Sequence, residues 1–267
     1  MTETGLLLDV ADLVVRFRGR RGKQVTALSG VDLTIREGET VGLVGESGSG
    51  KSTLGNAVLG LAPVASGTIT FAGEDISHAR NRQRRRLSRD LQAVFQNPYG
   101  SLNPTRTIGS TLAEPMHEQG RFGRAEIQRR IREVLDQVGM PADSAQRYPS
   151  EFSGGQRQRI AIARALVLSP RLIICDEPVS ALDLSIQAQV LNLLGDLKRE
   201  LGVSLLFISH DLAVVRYIAD SIVVLKHGEI VERGPAAQVY DNPQAEYTQR
   251  LLAAAPAPVT HVPFESR

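Results

Sequence analysis

Gly45-Glu46-Ser47-Gly48-Ser49-Gly50-Lys51-Ser52, continued by Thr53, is the stretch whose reading decides the fold. It satisfies G-x-x-x-x-G-K-[ST] in full. The flanks suit it. The compact apolar run Thr40–Val44 reads as a strand entering the loop, and a helix is predicted to start near Gly50 with Leu54, Val58 and Leu61 on one face. The glycines let backbone N–H groups converge on a β-phosphate, Lys51 reaches β and γ oxygens, and the Ser52 hydroxyl suits Mg²⁺. The emerging helix adds the positive end of its dipole. A Gly-Ser turn without a ligand is the plain alternative, and a match of this length between a strand and a helix argues against it.

Downstream, the apolar run Leu172–Cys175 ends in Asp176-Glu177. Ligands of parallel sheets sit beyond the carboxyl ends of the strands, so Asp176 is placed to hold Mg²⁺ and Glu177 to polarise an attacking water. Cys175 reads as a buried, unreactive thiol. A second apolar strand, Ser204–Ile208, leads to His210 at its end, a position suited to sensing a γ-phosphate.

The rest of the chain alternates strand and helix. Leu6–Phe17, Val31–Arg36, Gly67–Phe71, Leu91–Phe95 and Ser221–Leu225 read as strands; Ile108–Gly139, Arg157–Leu168, Ser185–Leu201 and Leu212–Tyr217 read as helices. Gly228 suits a hairpin turn, Lys226–Glu229, into Ile230–Val231. Alternation of this kind implies an α/β fold, a mostly parallel sheet covered on both faces. Two Asn-Pro pairs and a glycine mark 96–104 as a loop, and the tail from Ala253 is Ala/Pro-rich and expected to fray.

Composition sets the outer limits. At 267 residues the chain can bury a substantial core, and 42% apolar with 22% charged residues excludes wholesale disorder. One cysteine excludes an intrachain disulfide framework and a multi-thiolate zinc site. The N-terminus carries no basic-then-apolar leader, and no apolar run nears the ~18 residues that span a bilayer. The expectation is a protein of a reducing cytosol whose membrane part, if it has one, is supplied by another chain.

A second anion cradle precedes the helix at Arg157. Ser153 is a natural N-cap, and Gly154 and Gly155, followed by Gln156, leave backbone N–H groups uncovered at its positive end. One chain thus holds two cradles but one phosphate-loop lysine, which suggests that a nucleotide is gripped by the lysine of one subunit and the serine-glycine cap of another.

Phe152-Ser-Gly-Gly-Gln156 resembles the signature motif of ATP-binding cassette (ABC) ATPases, with Phe where the common form has Leu. The other motifs follow in order. Gln96 resembles the Q-loop glutamine, Ser180-Ala-Leu-Asp183 the D-loop and His210 the H-loop histidine, over roughly residues 6–252. Phe17 is placed either to stack on adenine or as a core residue at a strand end. The Q-loop region Gln96–Pro104 and the tail Asp241–Leu252 resemble the peptide and nickel importer branch more narrowly.

The resemblance implies an α/β P-loop NTPase (RecA-like) core with a parallel sheet, an N-terminal antiparallel β subdomain and an inserted helical signalling subdomain. It implies an ABC ATPase domain over 1–252, the helical part at about 97–168, and a short tail at 253–267. It implies ATP and Mg²⁺ as ligands, with Ser52, Gln96 and Asp176 at the metal and Glu177, His210 and Gln96 in catalysis. Implied partners are a second ABC ATPase subunit, identical or paralogous, two permease subunits and, indirectly, an extracytoplasmic solute-binding protein. The implied location is the cytoplasmic face of the cell membrane. The implied role is ATP-driven uptake of dipeptides or oligopeptides. Nickel import stays open, since the chain ends soon after Leu251-Leu252 and lacks the cysteines of an iron–sulfur segment.

Six arginines, at 80, 82, 84, 85, 86 and 89, invite a nucleic-acid or anionic-lipid reading. A near-neutral net charge of +2 and the lack of interleaved aromatics favour a solvated surface segment and no nucleic-acid partner. A DNA-repair or ribosome-associated ATPase of the same fold is disfavoured too. The interval from Lys51 to Asp176 has no room for a long coiled-coil insertion, and only one cassette is present.

Overall fold

A computed structural model describes residues 5–18, 24–96 and 102–254. Two sheets carry the fold. The first is four-stranded and antiparallel: β1 (Leu6–Arg18) lies between β2 (Gln24–Arg36) and β4 (Val64–Phe71), with the two-residue β5 (Glu74–Asp75) at the edge. The second is six-stranded. It contains β3 (Thr40–Val44), β6 (Leu91–Val94), β7 (Leu172–Asp176), β8 (Ser204–Ser209), β9 (Ser221–Lys226) and β10 (Glu229–Pro235), in the order β10-β9-β3-β8-β7-β6. Only the β9–β10 hairpin is antiparallel in it. The expected parallel core sheet and N-terminal antiparallel sheet are both present.

Period-two alternation divides each central strand between two cores. In β7, Leu172 and Ile174 face the antiparallel sheet and α1 (Lys51–Leu59), while Ile173 and Cys175 face the helical side. In β8, Leu206 and Ile208 join the first core, Leu205 and Phe207 the second. Burial pushes the Cys175 thiol up to about 12, so it stays protonated and inert.

Several elements depart from the sequence expectation. β2 starts at Gln24, not Val31, because its polar first half pairs with β1 along an exposed edge that has no apolar alternation. α1 ends at Leu59 with Gly60 (φ 74) as its left-handed cap, so Leu61 lies beyond the helix and is 67% exposed instead of sharing its apolar face. The arginine run is not a merely solvated segment. It forms the helix α2 (Asn81–Leu87), whose half-buried Arg84 donates to the carbonyls of Val58 (3.0 Å) and Ile76 (2.7 Å). Arg85 reaches the Glu118 carbonyl and Arg86 pairs with Glu74. The guanidinium forks thus fasten α2 to its neighbours, which composition cannot reveal.

The expected helix over 108–139 is two helices, α3 (Ile108–Gln119) and α4 (Arg124–Gln137), because Gly120 closes the first at φ 68. They pack with α5 (Gly154–Leu166) between β6 and β7, the place of the expected inserted helical unit. α6 (Leu184–Leu201) and α7 (Leu212–Ile218) connect the last parallel strands, and the expected hairpin turn forms with His227 (φ 49) and Gly228 (φ 82). After α8 (Ala236–Asp241), the last helix among the described residues, α9 (Glu246–Ala254), continues through Ala253 and Ala254, where the tail was expected to begin. The remainder of that tail, and 97–101 of the Asn-Pro loop, lie outside the described residues.

Candidate nucleotide site

Strand order builds the site. Read across the parallel sheet, the carboxyl ends of β6, β7, β8 and β3 deliver Gln96, Asp176-Glu177, His210 and the loop Gly45–Gly50 to one edge. The loop leaves β3 at Gly45, whose φ is 156 and where a Cβ would stand 2.1 Å from the Leu225 carbonyl oxygen, so only glycine fits. Gly48 and Gly50 take positive φ as well, and α1 starts directly at Lys51.

Lys51 is 5% exposed, and its Nζ donates to the carbonyls of Gly45 (2.7 Å) and Glu46 (2.8 Å). Burial lowers the pKa of this ammonium, while the carboxylates of Glu177 and Asp176 oppose that shift. Ser52 Oγ donates to Asp176 at 2.9 Å. Burial also raises the Asp176 carboxyl above the ordinary range; the Ser52 bond pulls it down and the Glu177 charge adds to the rise. Ser49 Oγ is buried with no hydrogen-bond partner and lies against Gly45.

These features fit an anion and a hard cation. An unpartnered hydroxyl and a desolvated ammonium inside one loop match phosphate oxygens. The oxygen donors Ser52 and Asp176, bonded to each other, match Mg²⁺, which takes few protein oxygens and completes its shell with phosphate and water.

Glu177 is the junction of the site. Its carboxylate accepts from Gln96 Nε2 at 3.3 Å and lies 3.3 Å from His210 Nδ1. Its backbone is left-handed (φ 49), a conformation disfavoured for a side chain with a Cβ, and its N–H donates to the Ile208 carbonyl at 3.0 Å. Ser180 Oγ donates to the Glu177 carbonyl at 3.1 Å. The chain therefore turns sharply out of β7 and holds the carboxylate beside both neighbours.

The serine-glycine cap lies at the start of α5. Ser153 accepts from Gln156 N–H (3.3 Å) and Gln156 Oε1 accepts from Ser153 N–H (2.9 Å), a reciprocal capping box. The S-x-x-Q spacing was a legible signal for it. Gly154 is partly exposed; Gly155 is buried, and a Cβ there would stand 2.4 Å from Ile186 Cγ2. Gly155 lets α5 and α6 approach closely. Asp183 caps α6, accepting from Ile186 N–H at 3.0 Å, beside the 70% exposed Leu184. Phe17 is 40% exposed near the end of β1 and joins neither core, which removes its reading as a core residue. Sequence reasoning missed Tyr247, which lies in α9, far along the chain, and bonds the phosphate loop.

The family model described as ABC transporter matches residues 28–180, more than half of the chain. The oligopeptide transport ATP-binding protein OppF of Lactococcus lactis subsp. lactis is 48% identical over 257 residues, covering 94% of this chain and 81% of its own length. The OppF of Escherichia coli K12 is 48% identical over 262 residues, covering 95% and 78%. Among solved structures, a dimeric post-hydrolysis state of the ATP-binding cassette MJ0796, bound to ADP and Pi, superposes with a TM-score of 0.77 at 30% identity, covering 86% of this chain and 99% of that one. CbiO1 of Clostridium perfringens, part of the transporter complex cbiONQ, gives 0.79 at 26% identity, covering 89% and 91%. Phosphate loop, strand-end acids and serine-glycine cap thus occur together in a chain that belongs to the ABC transporter family, as one of its ATP-hydrolysing cassettes.

Proposed function

We propose that this chain is the ATPase subunit of a peptide importer, working at the cytoplasmic face of the cell membrane. The observation that carries the reading is the bonded row at one sheet edge: Lys51 in its loop, Ser52 on Asp176, and Glu177 between Gln96 and His210. The peptide cargo rests on the likeness to the two OppF proteins.

In this reading residues 45–53 wrap the triphosphate, Phe17 stacks on adenine, and Lys51 leaves its two carbonyls for the β and γ oxygens. Ser52, Asp176 and Gln96 would hold Mg²⁺, which would supply charge neutralisation for the phosphates. Glu177 accepts the proton of the attacking water, and His210 keeps the carboxylate oriented towards it. Gln96 ties Glu177 to the segment that leads into the helical unit, at about 97–168 of a cassette spanning 1–252, with 253–267 as tail. Beside Gln96, the exposed Phe95 and Leu61 line a groove of about 540 Å³ between core and helical unit, which suits a permease segment. Two permease subunits carry the cargo, and a solute-binding protein outside the cell delivers it to them.

The cargo is tested by uptake. Cells in which this chain is replaced by Glu177→Gln should lose uptake of a labelled oligopeptide and keep uptake of ⁶³Ni²⁺. Loss of nickel with peptide uptake intact would replace the peptide reading.

In a pair with a second cassette, read as a paralogous chain, the cap at Ser153–Gln156 and the Asp183 turn of this chain lie across the partner's nucleotide, and the partner's own cap closes the site at Lys51. The MJ0796 cassette, described as dimeric and bound to ADP and Pi, supports pairing of cassettes. In this arrangement Lys51 and Ser153 of one chain serve different nucleotides. With a paralogous partner, Lys51→Ala and Ser153→Arg should each disable a different site. If the chain pairs with itself, mixing the two variants should restore part of the activity, because mixed dimers hold one doubly damaged and one intact site. Failure of both variants at the same site refutes the shared arrangement.

A further inference from the structure

The C-terminal part of the chain reaches back to the phosphate loop at two points. The Glu46 N–H donates to Tyr247 Oη at 3.0 Å, and the Gly228 N–H donates to the Ser49 carbonyl at 2.8 Å. Both donor–acceptor pairs join the loop to residues beyond 220, outside the 28–180 span matched by the family model.

The first contact acts on a particular peptide unit. The carbonyl of the Gly45–Glu46 peptide accepts from Lys51 Nζ at 2.7 Å, and the N–H of the same peptide meets Tyr247. In a trans peptide these two groups point in opposite directions. A partner for the N–H on the outer side therefore fixes the carbonyl pointing inward, at the lysine. Without that partner the unit is easily turned, because Gly45 has no side chain to resist rotation at its own ψ. The Tyr247 ring is itself held. It is buried, α9 packs Leu251 and Leu252 on the core, and the Lys226 ammonium lies 5.1 Å from the ring centroid. Lys226 follows Leu225, whose carbonyl abuts Gly45. Ring, strand end and loop thus form one continuous contact.

We propose that Tyr247 is a positioning residue for nucleotide binding, its hydroxyl locking the Gly45–Glu46 peptide so that the loop is preorganised to hold Lys51 and then phosphate. The proposal rests on the reading of residues 45–53 as the nucleotide site. The aromatic ring alone would dock α9; the hydroxyl adds the bond to the loop.

Tyr247→Phe removes only that bond. One neutral backbone hydrogen bond corresponds to about a 3- to 10-fold change in an equilibrium constant. The KM for MgATP should rise by that factor with kcat within about twofold, the pattern of lost uniform binding. Amide hydrogen exchange at Glu46 should quicken in the nucleotide-free variant, with the melting temperature little changed. Leu251→Ala loosens the same helix without touching the loop, and should lower the melting temperature while leaving KM near wild type. An unchanged KM in Tyr247→Phe, or an equal KM rise in Leu251→Ala, overturns the proposal. Lys51→Ala separates the two levels. If it binds MgATP like wild type, the nucleotide reading of the loop falls and the proposal with it; if it fails to bind while Tyr247→Phe binds normally, the proposal falls alone.

Discussion

Lys51→Ala should bind MgATP at least ~100-fold more weakly than wild type, the scale of losing a preorganised charged donor in a dry site. The ammonium is nearly inaccessible and sits on two loop carbonyls, so no other described cation takes its place in the loop. Burial already disfavours its charge in the free protein. Removing it therefore relieves a desolvation penalty while leaving the Gly45 and Glu46 carbonyls without their donor. These effects oppose each other, and the melting temperature without nucleotide should move little. The measurement is the rise in melting temperature with MgATP. Wild type should gain stability as RT ln(1 + [L]/Kd), and the variant should gain none at the same concentration. A normal rise would remove Lys51 from the site.

Glu177→Gln should still bind MgATP but hydrolyse it at least ~100-fold more slowly in a single turnover, the range of a lost general base. The amide keeps the volume of the side chain, and one carbonyl oxygen remains to accept from Gln96. The left-handed backbone at 177 is no harder for Gln than for Glu, so the turn out of β7 should survive. In the proposed arrangement, loss of negative charge beside the γ-phosphate should also prolong a closed dimer, visible as a slowly decaying dimer peak in MgATP by size exclusion. Rapid single-turnover hydrolysis would move the base elsewhere, and His210, 3.3 Å from Glu177, is the next group to test.

The cap residues mark a boundary of sequence reading. Ser153 is legible as an N-cap because its bond partner lies three residues on, within one helical turn. Gly155 is not legible in the same way. It admits Ile186, a residue on a different helix, and a glycine pair before a helix looks the same whether a ligand or a side chain approaches it. The arginine run follows the same rule. Its charges were visible, but Arg84 binds the Val58 and Ile76 carbonyls, which belong to other elements.

By itself the sequence determined whatever is encoded over a few neighbouring residues. That covers the phosphate loop between strand and helix, the acids that end β7, the hairpin at Gly228, and the alternation that makes a parallel sheet buried on both faces. Local geometry and period-two patterning are short-range physics, so they can be read along one dimension. The tertiary structure alone decided which distant groups meet. Strand order brought Gln96 and His210 to opposite sides of Glu177, and the docking of α9 brought the Tyr247 hydroxyl to Glu46. Those contacts depend on the packing of two cores and the register of parallel strands, which are set by the summed burial of many residues and by no local motif.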